Sequence, residues 1–125
     1  MQREALVSHE IAPAAGPFAA AVRAGEFIFV SGQVAQDRAS GRLIGTDVAA
    51  QAEQVFVNLR AVLRAAGETL DDVVRVGVYL TDMNDFAKMN AVYARQFTAP
   101  YPARTTIAVA ALPLGAAVEM DLVAR

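Results

Sequence analysis

Two charged side chains sit in segments that otherwise read as strands of small or apolar residues. Arg104 heads Tyr-Pro-Ala-Arg-Thr-Thr-Ile-Ala-Val-Ala (101–110), and Glu119 lies in Val-Glu-Met-Asp-Leu-Val-Ala (118–124). A guanidinium is permanently charged and offers a planar fork of donors that matches a carboxylate. A carboxylate in such a strand can orient water and carry a proton. Two readings stay open on the residues alone. One is a structural ion pair, between these two or with a neighbouring subunit. The other is a site for an anionic ligand.

Other polar residues are weaker candidates. Ser31 lies within Phe-Val-Ser-Gly-Gln (29–33) and reads first as a turn residue. No Gly-x-Ser-x-Gly elbow is present, so a serine nucleophile is not expected. Asn90 falls inside a helical segment, where asparagine is a poor fit, so a side-chain partner in a loop or a ligand is expected. Cysteine is absent and His9 is the single histidine, which excludes thiolate chemistry and a histidine-built zinc site. Gly-Arg-Leu-Ile-Gly (41–45) lacks the ending of a phosphate loop.

The elements that must position these residues follow from periodicity. Segments 19–24 and 26–31 read as two strands around Gly25. A helix is predicted over 47–67, with Val48, Ala52, Val55, Leu59, Val62 and Ala66 as its stripe, a cap at Thr46 or Asp47, and Gly67 at its end. Alternation makes 73–80 a strand, with Val74, Val76, Val78 and Leu80 on one face. A second helix spans 83–97, its stripe being Phe86, Met89, Val92, Tyr93 and Phe97. Segments 103–112 and 116–124 are the last strands. Ala-Pro-Ala-Ala-Gly-Pro-Phe (12–18) is irregular, either a connector or a loop that shapes a pocket. The order implies an α+β domain: one mixed sheet with two helices on one face. The other face is left uncovered and is expected to carry Arg104, Thr106 and Ala108.

The length of 125 residues suits one domain, 1–125. The apolar fraction of 55% is high for a small monomer, which points to self-association. A formal charge of −2 and a single lysine, Lys88, give no nucleic-acid footprint. No apolar run is long enough to span a membrane, and no signal-peptide pattern opens the chain, so the cytoplasm is the expected compartment.

Several motifs in order resemble the Rid (YjgF) family of reactive intermediate imine/enamine deaminases. They are Ala-Pro-Ala-Ala-Gly-Pro-Phe, Ser-Gly-Gln (31–33), Asn-x-x-Tyr-x-x-x-Phe (90–97), Pro-Ala-Arg-Thr (102–105) and Leu-Pro-x-x-x-x-Val-Glu (112–119). Together they extend over nearly the whole chain. The resemblance implies a chorismate-mutase-like fold and a homotrimer with a central barrel, its ligand sites in clefts between subunits. It implies that Arg104 binds a substrate carboxylate and Glu119 places or polarises water. Phe18, Ser31, Asn90 and Thr106 complete the site, with no metal and no cofactor. The implied reaction is hydrolysis of small 2-imino or enamine acids, of the 2-aminoacrylate or 2-iminobutanoate type, to 2-keto acids and ammonia. Three positions depart from common family usage: Phe18 replaces tyrosine, Thr106 replaces cysteine, and Asp121 replaces glutamate. The alternatives are a carboxylate-binding or chaperone-like regulatory module without turnover, a specialised catabolic enamine deaminase, and the ribonuclease activity attributed to some relatives, which the acidic balance disfavours.

Overall fold

The computed structural model describes residues 2–125. Its elements are β1 (Glu4–Leu6), β2 (Ala21–Ala24), β3 (Phe27–Gln33), α1 (Val48–Ala65), β4 (Val73–Leu80), α2 (Phe86–Gln96), β5 (Ala103–Ala108) and β6 (Val118–Ala124). The six strands form one sheet in the order β1-β2-β3-β6-β4-β5. β4 and β5 are parallel, with α2 as their crossover, and every other neighbouring pair is antiparallel.

The helix α1 forms where its stripe and caps predict. The Asp47 side chain accepts a bond from the Ala50 amide at 2.8 Å, which satisfies one free donor of the first turn. Gly67, at φ +77°, takes the left-handed position after the last turn. Val55, Phe56, Leu59 and Leu63 of α1 pack with Met89, Val92 and Tyr93 of α2 over Ile28, Val76, Val78, Met120 and Leu122 of the sheet. Both helices thus cover one sheet face, the α+β arrangement expected.

Two buried polar side chains on α1 tie loops to this core. Asn58 donates to the carbonyls of Val34 and Gln36 at 3.1 and 3.0 Å. Gln51 accepts from the Ala117 amide at 2.8 Å and so fixes the entry to β6. Each removes a buried backbone group from the cost of lying unpaired.

Three expectations need correction. Arg104 and Thr106 do not lie on the open face. They stand opposite Val76 and Val78 in the β4–β5 register, and those valines are buried under the helices. The open face instead carries Thr105 and Ile107 of β5, Phe27 and Phe29 of β3, Arg75 and Tyr79 of β4, and Glu119 and Asp121 of β6. Alternation divides a strand into two faces but does not say which one the helices cover. Second, Val74 is exposed and Val73 takes the buried place, because a bulge between Val73 and Arg75 shifts the alternation. Third, Arg104 and Glu119 do not pair with each other: they project from opposite faces, and no salt bridge among the described residues involves either.

Candidate functional site

The crossover α2 brings Asn90 and Tyr93 beneath the head of β5. Arg104 Nη1 donates to Asn90 Oδ1 at 2.6 Å. The guanidinium carbon lies 4.6 Å from the Tyr93 ring centroid and 5.5 Å from that of Phe86. Stacking and the asparagine acceptor fix the plane of the fork. The partner of Asn90 is thus not the expected loop or ligand but a strand residue, Arg104 of β5. A cavity of about 360 Å³ opens here, lined by Asn90, Tyr93, Ala94, Tyr101, Pro102 and Arg104. Two hydroxyls nearby are buried without a hydrogen-bond partner, those of Tyr93 and of Thr106. Burial pushes the Tyr93 phenol up, and the Arg104 charge opposes that rise.

Glu119 occupies a second cavity, of about 260 Å³, whose walls include Phe18, Gly32, Gln33, Pro113 and Leu114. Its carboxyl lies against Gly32: a Cβ there would sit 2.9 Å from Glu119 Cδ and Oε2. Gly32 is needed for this approach, and the Ser-Gly-Gln motif contained the signal without revealing its cause. Burial, and then the neighbouring Asp121 carboxylate, raise the proton affinity of Glu119. Leu114 forms part of the rim at φ +60°, a left-handed conformation that a leucine adopts at a cost.

The segment 12–18 contributes Phe18, which is 57% exposed, and so it does shape a pocket. Ser31 lies within β3 and not in the expected turn, and its Oγ donates to the Ala19 carbonyl at 2.6 Å and holds this loop against the strand. A larger cavity, about 660 Å³, runs along residues 5–14 and also reaches Phe18. It contains neither Arg104 nor Glu119, so volume and chemistry point to different places, and chemistry decides. No metal-holding group of His, Cys, Asp or Glu occurs among the described residues. Among them, no helix is long and apolar enough to cross a membrane.

The structure thus brings the predicted residues together as two sets. Arg104 and Asn90 share one cavity, with Thr106 on the same face of β5. Glu119 and Phe18 share the other, with Ser31 pinning the loop that carries Phe18. Sequence reasoning had missed Gly32 as the seat of Glu119, Tyr93 as the platform of Arg104, and Tyr101 in the Arg104 cavity. It had also missed Gln51 as the residue that anchors the approach to β6.

Comparison with known proteins identifies the family and the fold. The family model described as Endoribonuclease L-PSP matches residues 9–125. Protein DfrA of Myxococcus xanthus is 47% identical over 99% of this chain and 96% of its own length. The 2-iminobutanoate/2-iminopropanoate deaminase of Bos taurus is 42% identical over 95% of this chain and 88% of its own. Among solved structures, RidA from Psychrobacter sp. PAMC 21119 superposes with a TM-score of 0.92 at 40% identity, covering 97% of this chain and 98% of that one. E. coli TdcF with bound serine gives 0.91 at 33% identity, covering 97% of each. The mixed sheet, its two helices and the matched motifs therefore place this chain in the Rid (YjgF) family.

Proposed function

We propose that this protein is an imine deaminase. It hydrolyses small 2-imino acids in a cleft built from Arg104 of one copy of the chain and Glu119 of another. The observation that carries this reading is the separation of the two groups. Each occupies its own cavity, and the sheet lies between them. One copy cannot present both to one small substrate, whereas neighbouring copies can. The open sheet face adds support, since Phe29 and Ile107 are 47% and 44% exposed there and apolar surface of this kind is buried by association. A homotrimer, the family expectation, is the assembly we propose.

In this reading Arg104 grips the substrate carboxylate with charge-assisted bonds, and Asn90 and Tyr93 hold the fork in place. A carboxylate ligand also suits the serine bound to TdcF, which carries the same group. The substrate R–C(=NH)–COO⁻ takes up one water and releases ammonia to give R–CO–COO⁻. Glu119 receives a proton from the attacking water as the C–O bond forms. It returns that proton to nitrogen to give the carbinolamine, and as the C–N bond breaks the hydroxyl proton passes to the leaving nitrogen, so ammonia departs and the carbonyl forms. Its raised proton affinity suits a group that must both take and give a proton. The bovine relative's name gives this chemistry to a protein 42% identical to the chain.

A second reading is ligand binding without turnover, which Phe18 favours. Its ring lines the Glu119 cavity but supplies no hydroxyl to a water or ligand. One experiment separates the two. 2-Iminobutanoate is generated from threonine by a dehydratase in the presence of semicarbazide, and the trapped imine is followed. Less trapping in the presence of the protein, lost in Arg104→Ala, supports the deaminase. Unchanged trapping with retained keto-acid binding supports the binding module.

A further inference from the structure

The two acidic side chains that β6 presents to the open face lean in opposite directions, each over a glycine of a neighbouring strand. Glu119 lies over Gly32 of β3. Asp121 lies over Gly77 of β4, where a Cβ would come 2.3 Å from Asp121 Oδ1 and 2.9 Å from the Tyr79 hydroxyl. Gly77 sits mid-strand, where glycine weakens pairing, and the close approach accounts for it. In the β4–β6 register Gly77 faces Asp121 and Tyr79 faces Glu119. Yet the Tyr79 hydroxyl bypasses its direct partner and donates to Asp121 Oδ2 at 2.9 Å. That diagonal is within reach of an aromatic side chain.

We infer that Tyr79 and Asp121 are positioning residues for Glu119: the Tyr79 hydroxyl anchors Asp121 over Gly77, which fixes the place of a negative charge beside Glu119. The inference rests on the proposed role of Glu119 in moving the proton.

The groups that face Glu119 are few. Asp121 stands on its own strand and Tyr79 on β4. Arg75 lies further along β4 and donates to Thr105 of β5 at 3.2 Å. β3 offers Gly32 and Gln33, the N-terminal loop offers Phe18, and the turn before β6 offers Pro113 and Leu114, none of which ionises. In an assembled cleft, Arg104 of the second copy adds a positive charge common to wild type and variants. Asp121 contributes to the raised proton affinity of Glu119, and the bond to Asp121 is the chief cause of the raised Tyr79 phenol.

The test is a carbon-13 NMR titration of the Glu119 carboxyl in the full-length protein, assigned with Glu119→Gln. Asp121→Asn removes the charge and keeps an acceptor for Tyr79, and the Glu119 midpoint falls. Tyr79→Phe and Gly77→Ala each unseat Asp121, and the Glu119 midpoint moves from its wild-type value. In the Asp121→Asn background the Tyr79→Phe effect disappears, because Tyr79 acts only through Asp121. An unmoved midpoint in Asp121→Asn overturns the inference. So does a Tyr79→Phe effect that persists in that background, or a Glu119 midpoint unmoved in both Tyr79→Phe and Gly77→Ala. Proton binding is read without turnover, so a failure of the deaminase reading in the trapping assay remains distinguishable from a failure here.

Discussion

Arg104→Ala and Arg104→Lys separate the charge of the carboxylate site from its shape. The guanidinium is held by Asn90 at 2.6 Å and stacked 4.6 Å from the Tyr93 centroid, so one N–H is engaged and the rest of the fork stays free. A carboxylate gripped by two charge-assisted bonds gains about 1.5–3 kcal/mol from each. Arg104→Ala removes both, so the Kd for a keto acid rises by roughly 10²- to 10⁴-fold. Lysine keeps the charge but loses the second bond and the stack, which gives a rise of roughly 10- to 100-fold. The fold loses only a neutral-partner bond and a cation–π contact, each on the order of 1 kcal/mol. Calorimetric titration with 2-oxobutanoate, beside urea unfolding of each variant, measures both effects. An Arg104→Ala protein that binds within about threefold of wild type would refute the carboxylate role. An Arg104→Lys protein equal to wild type would refute the argument from fork geometry.

Other consequences are open to measurement. Gly32→Ala drives the flexible end of Glu119 from its seat, so kcat falls by roughly 10- to 100-fold while KM and the melting temperature change little; an unaltered kcat would remove Gly32 from the account. Glu119 binds its proton more tightly in the folded protein than an ordinary glutamate does. Its contribution to stability is therefore present below the ordinary carboxylate range and lost as pH rises through the raised folded value. Glu119→Gln deletes that loss, so its stability advantage over wild type should grow with pH across this window in urea titrations. A constant difference would contradict the assigned shift. Asn58→Ala strands the buried carbonyl of Val34 and the partly buried one of Gln36, and costs about 1–3 kcal/mol, read as a lower urea midpoint at unchanged slope.

Much of the scaffold was legible because local signals agreed with one another. The strand 73–80 was read to its ends, and Asp47 and Gly67 bracketed α1 as caps should. What escaped depends on contacts between distant segments. β1 has three residues and no period to detect. The bulge at Val73–Arg75 follows from pairing with β6, and local alternation does not reveal it. The covered face of β5 depends on where α2 packs, so Arg104 was assigned to the open side. For the site, the residue types came from the sequence and their grouping from the family resemblance. Arg104 and Asn90 are brought together by a crossover, and nothing in either segment alone specifies that contact. The glycine seats of Glu119 and Asp121 are visible only once three strands lie side by side.

The central claim is that one cleft joins Arg104 of one copy to Glu119 of another, and a mixing experiment tests it directly. Arg104→Ala and Glu119→Gln are each expected to be inactive in the trapping assay. Unfolded together and refolded as mixed oligomers, they should regain part of the wild-type activity, because some clefts then receive an intact Arg104 and an intact Glu119. Mixed oligomers that form but remain as inactive as either parent would contradict the account.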